Sequence, residues 1–141
     1  MQALSNVPTF VKTKFYIMKK ATLVIRILLG LMLILFGLNK FLNFMPIPPM
    51  PEAAQTFMMA LVNSGYIMEI VAVVEIVTGV LILIDKYKSL ALLILFPIIL
   101  NAFLFHLFLD LPGIGGAFVA LSMTIFLMFR SKDNYSAILK P

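Results

Sequence analysis

The chain has no cysteine, which excludes an internal disulfide relay, a thiolate nucleophile and a cysteine-ligated metal or iron–sulfur centre. Any thiol chemistry it joins needs sulfur from a partner. Charge is scarce as well: 12% of the 141 residues are charged, against about 25% in an ordinary soluble domain. With one histidine and six acids, the sequence offers no facing pair of haem-ligating histidines and no metal-binding cluster, and it carries no flavin fingerprint. An electron source, if there is one, lies outside the chain.

What remains is apolar. Hydrophobic residues make up 62% of the chain, and the mean hydropathy of +1.09 is that of an integral membrane protein. The length allows one compact domain and no separate soluble catalytic domain. The net charge of +5 belongs, in such a protein, to the cytoplasmic flanks of the spans and not to nucleic-acid binding.

Four stretches are long and apolar enough to span: Ala21 to Phe44, Tyr66 to Ile84, Ser89 to Leu109 and Ile114 to Phe129. Between the first two, Pro46, Pro48, Pro49 and Pro51 forbid a continuing helix. After Pro51 the run EAAQTFMMALVNSG predicts a short interfacial helix with Phe57, Met58 and Leu61 on one side and Gly65 as its stop. The connections DKYK and DLPG suit only antiparallel neighbours. The expected fold is all-α, an antiparallel up-down four-helix transmembrane bundle over residues 21–129. It carries an extracytoplasmic proline-rich loop and short helix over 45–65. A basic interfacial segment, 1–20, precedes it, and a basic tail, 130–141, follows.

Orientation follows from the cations. Lys12, Lys14, Lys19, Lys20, Lys86, Lys88, Arg130, Lys132 and Lys140 share one side if four spans alternate, and only Lys40 borders the other. The positive-inside rule then makes both termini cytoplasmic. No A-x-A-like cleavage site precedes the first span, which is expected to stay as a signal anchor. The segment FVKTKFYIMKK suits the inner surface, with Phe10, Phe15, Tyr16 and Ile17 below the headgroups, or a partly ordered basic tail.

The run RILLGLMLILFGLNK places a cation at each end of an apolar helix. Arg26, Gly30, Leu33, Gly37, Lys40 and Phe44 fall within about 40° of one line along it, a polar and small-residue stripe that should face the other helices. Lys40 matches Glu69 in depth, so that pair is expected. Arg26 either snorkels to lipid phosphates or makes a structural bond. Glu75 lies too deep to snorkel and is either protonated or paired, with Asn101, Asn39 and Gly37 as candidate neighbours. His106 has Asp110 four residues on, placed to fix its tautomer. Lys40, Glu69, Glu75, Asn101 and His106 all fall in the outer half, either as a functional pocket or as a structural polar network. A proton-handling centre of Glu75, Asn101 and His106 is the expectation; no residue is marked as catalytic.

In order, each on its own span, R-x3-G-x6-G-x2-K (Arg26, Gly30, Gly37, Lys40) and E-x3-G (Glu75, Gly79) resemble the DoxX and DoxD-like family of small four-helix membrane proteins. FGLNKFLNFMPIPPMP, SGY and FPIILNAFLFHLFLD are similar to its bacterial DoxX-like branch. The resemblance implies a multi-pass protein of the bacterial cytoplasmic (inner) membrane. It also implies a link to redox chemistry, since the family takes its name from the small subunit of a thiosulfate:quinone oxidoreductase and some members are associated with complexes for thiol and oxidative-stress homeostasis.

Two functional readings follow. One is a redox-linked subunit whose pocket binds a quinone or a lipid, Lys40 or His106 bonding a carbonyl oxygen and Glu75 or His106 carrying the proton. The other is a non-catalytic accessory or assembly subunit, whose membrane charges pair with a partner. Homo-oligomers and larger membrane complexes fit either. A small transporter is disfavoured, for want of an inverted repeat or paired broken spans.

Overall fold

The computed structural model describes residues 9–46 and 48–136. The expected cytoplasmic positions of residues 1–8 and of Lys140 lie outside the described residues, as do the side chains of Phe10 and Lys12. Among the described residues there are five α-helices, two short 3-10 turns and no strand.

Helix α1, Thr9–Leu42, has 34 residues and is about 51 Å long, well over the roughly 30 Å of a hydrocarbon core. It runs without a break through Lys20 and Ala21, so the described part of the basic segment, residues 9–20, continues the helix of the first span and is not a separate surface helix. There Lys19 and Lys20 lie over the rings of Phe15 and Tyr16 at 4.5 and 4.6 Å, one helical turn back. The helix ends where Asn43 takes a left-handed φ of 50° and the Asn39 side-chain oxygen accepts the Met45 N–H at 2.7 Å.

Beyond the prolines, α2 runs from Glu52 to Asn63. Gly65, at φ 74°, turns the chain after it, a conformation that costs a residue without Cβ little. Helix α3, Ile67–Leu83, stands at 87° to α2 across this break. The Phe57 ring of α2 reaches Phe105 at 5.7 Å. Helix α4, Lys88–Leu109, follows a tight turn in which Asp85 and Tyr87 both have positive φ. A 3-10 turn, Leu111–Gly113, leads into α5, Ile114–Arg130.

Helix α1 packs on α3, α3 on α4, α4 on α5 and α5 on α1. Leu29, Leu33, Ile82, Leu92, Leu95 and Leu127 fill the middle and are fully buried. Leu31, Leu35, Val73, Val77, Ile94 and Phe108 are exposed, as expected where hydrocarbon is the solvent and apolar burial drives little. Helices α1 and α4 and the stretch Leu111–Arg130 are long and apolar enough to cross a membrane; α2 and α3 together form a bent pair.

Glycines set the closest approach. A Cβ on Gly30 would lie 3.0 Å from the Gly79 carbonyl oxygen, and one on Gly37 would lie 2.9 Å from that of Ala72. Position rises along α1 as it falls along α3, so these two helices are antiparallel. From Gly30 to Lys40 the polar and small-residue stripe of α1 faces α3, whereas Phe44, expected to share it, lies past the end of α1 and is exposed.

Candidate functional site

One end of the α1–α3 contact is closed by an ion pair. Lys40 Nζ stands 2.5 Å from Glu75 Oε2, and Glu75 is 7% exposed. The helices' direction explains the meeting. Side chains lean toward the N-terminus of their own helix, so in an antiparallel pair Lys40 leans back toward the middle and Glu75 leans toward the α2 end. Gly37 lets them close: a Cβ there would come within 3.3 Å of the Glu75 Cβ. The Thr78 hydroxyl turns back onto its own helix, donating to the Val74 carbonyl at 2.7 Å.

The Lys40–Glu69 pair expected from depth is not formed. Glu69 is exposed, because six residues of helix turn it about 120° away from Glu75. Depth alone carried that expectation; rotation decides it.

The expected grouping of Glu75 with Asn101 and His106 does not form either. Asn101 is exposed on the outer face of α4, two residues and about 200° from buried Ile99. His106 is half-buried on α4, which sits diagonally across the ring from α1. Its Nδ1 lies 2.9 Å from Asp110 Oδ2, the partner that the four-residue spacing predicts, and Asp110 is buried. The Phe105 ring meets the imidazole edge-on at 5.0 Å. Gly113 leaves the room these two side chains occupy. Asn39 serves the end of α1 and does not reach Glu75.

At the opposite end Arg26 is bonded to Asp85, whose other oxygen lies 2.8 Å from Lys88 Nζ. Of the two alternatives for Arg26, the structure has the bond. Partial burial works to raise the Asp85 pKa, but hydrogen bonds and charge from Lys88 and Arg26 outweigh it and hold the carboxyl below its ordinary value. Asp85 is the residue that sequence reasoning missed. The available signal was that, with both ends of the spans assigned, Asp85 is the acid at the border nearest Arg26. Two open clefts lie at this end, one of about 530 Å³ against Ser89, Asn134 and Tyr135, the other of about 280 Å³ between Lys19, Thr22, Arg26 and Lys88.

The stripe that sets the α1–α3 contact lies within one family pattern. The DoxX family model matches residues 21–107, more than half of the chain. The chain belongs to the DoxX family. No curated protein and no solved structure matches it. The part shared with DoxX proteins takes in Arg26, Gly30, Gly37, Lys40, Glu75, Gly79, Asp85 and His106, while Asp110 and α5 lie past it. This DoxX-family chain is a membrane protein whose long apolar helices hold two ion pairs at opposite ends of one helix contact.

Proposed function

We propose that the chain is a membrane subunit of a quinone-linked oxidoreductase, and that the Lys40–Glu75 pair is its proton-handling site. In this reading α3 is a fourth span, the helices form an antiparallel bundle in the bacterial cytoplasmic membrane, α2 lies in the outer interface and both termini are cytoplasmic. The observation that carries it is the pair itself. An ammonium and a carboxylate held together among apolar helices can exchange one proton with no change in net charge. Such a donor set suits the carbonyl and hydroxyl oxygens of a quinone headgroup: Lys40 donates, and the second carboxylate oxygen of Glu75 accepts. A bound quinone supplies two-electron chemistry, with electrons from a partner, since the chain holds no cysteine.

The accessory or assembly reading has its own support. Glu75, Asn101 and His106 face three different surroundings, so they do not converge on one ligand.

Gentle purification from native membranes, with mass spectrometry of proteins and extracted quinones, separates the two. Stoichiometric quinone with the isolated chain, lost in Glu75→Gln, supports the first. Recovery only inside a larger assembly, without quinone and with Glu75→Gln fully active, leaves the second.

A further inference from the structure

Asn101 stands within about 4 Å of the midpoint of α4, and its side chain is exposed with no hydrogen-bond partner among the described residues. Hydroxyl side chains in the long helices find local partners: Thr22, Thr78, Ser122 and Thr124 each donate to the carbonyl four residues back. A carboxamide cannot do this as readily. Facing hydrocarbon, it leaves two N–H groups and a carbonyl oxygen without water or protein to bond.

The surface around it has a pattern. Leu90, Ile94, Pro97, Asn101, Leu104 and Phe108 are all exposed, and their spacing alternates four and three residues. That is the a/d seam of a helix that pairs with another helix. It runs for about 27 Å along α4. Pro97, in the same seam, has no N–H to give the Leu93 carbonyl, so a backbone group on this side also lacks its usual partner.

We propose that two copies of this chain pair through this face of α4, with the Asn101 side chains of the two copies hydrogen-bonded to each other. The occupant is a second copy because of symmetry. Chains inserted with one topology place residue 101 at one depth, so a two-fold axis normal to the membrane brings each Asn101 to its own image. At such an axis a charged side chain repels itself, whereas a carboxamide carries donor and acceptor together and exchanges two bonds. The flanking seam positions hold no charge that calls for a complementary foreign helix. A single polar residue at an a-type position is also the device that fixes register in paired helices. The proposal is independent of whether the Lys40–Glu75 site handles a quinone.

The natural absence of cysteine makes the test direct. Single-cysteine variants Ile94→Cys and Leu104→Cys, on the seam, and Val77→Cys, on the exposed face of α3, are oxidised in native membranes with copper phenanthroline. The seam variants should cross-link to twice the 15.8 kDa chain mass, and Val77→Cys should not. Adding Asn101→Leu to Leu104→Cys, an apolar change at a lipid-facing site that leaves the fold intact, should weaken self-association about tenfold; Asn101→Gln should retain most of it. Any of three cross-linking results overturns the proposal: no cross-link from either seam position, equal cross-linking from Val77→Cys, or cross-links only to a band of another mass. Unchanged association in Asn101→Leu also overturns it, by removing Asn101 from the contact.

Discussion

Gly30 and Gly79 meet backbone to backbone: a Cβ on either would lie within 3.0 Å of the other's carbonyl oxygen. A carbonyl in a helix cannot swing aside as a side-chain end can. Gly79→Ala therefore has to push α1 and α3 apart, with a destabilisation of about 1–3 kcal/mol. Gly115→Ala, where nothing lies within 4 Å of the added carbon, should be neutral or slightly stabilising. Thermal unfolding of the two variants in one detergent checks the contrast, and equal losses would remove the close crossing as the cause.

The Lys40–Glu75 pair predicts a thermodynamic cycle. Removing one partner leaves a buried charge alone, so Lys40→Met or Glu75→Leu should each cost about 3–5 kcal/mol. The double variant should cost much less than the sum. Glu69→Gln, at an exposed position, should stay within about 0.5 kcal/mol of the parent. Unfolding in mixed micelles measures all four, and additivity in the double variant would refute the pair.

Asp85 sets an acid limit. Its pKa is lower in the folded protein than in the unfolded chain because Lys88 and Arg26 favour the charged form against some desolvation. The folded state therefore gains stability above the unfolded carboxylate pKa of about 3.9, and loses it as pH falls through the lower folded value. Melting temperature followed from pH 6 down to pH 2.5 should fall more for the parent than for Asp85→Asn. The carboxylate is half exposed, so salt should reduce the difference. Parallel curves would show that Asp85 has no such role.

Topology is open to the same cysteine-free chain. A cysteine at Gln55, exposed on α2, should react with an impermeant maleimide from outside intact cells, and one at Lys132 only after the inner face is opened. The reverse pattern would invert the proposed orientation, and reaction of both from one side would deny α3 its place as a fourth span.

Composition and local spacing were enough for the membrane class, the long apolar helices, the short helix after Pro51, the stop at Gly65 and the bond between His106 and Asp110. Each depends on hydropathy or on residues within a helical turn or two. The small-residue stripe of α1 was legible too, because a 3.6-residue period sorts side chains onto faces before any partner is known. What tertiary structure alone decided was which face of each helix meets which neighbour. It turned Glu69 outward and Glu75 inward, gave Arg26 to Asp85, carried the helix of the first span back to Thr9 and left Asn101 outside the bundle. The physical reason is that depth along an axis and rotation about it are independent. Sequence supplies depth by counting residues, whereas rotation follows from where two backbones can come closest, here at Gly30 and Gly79 on separate helices.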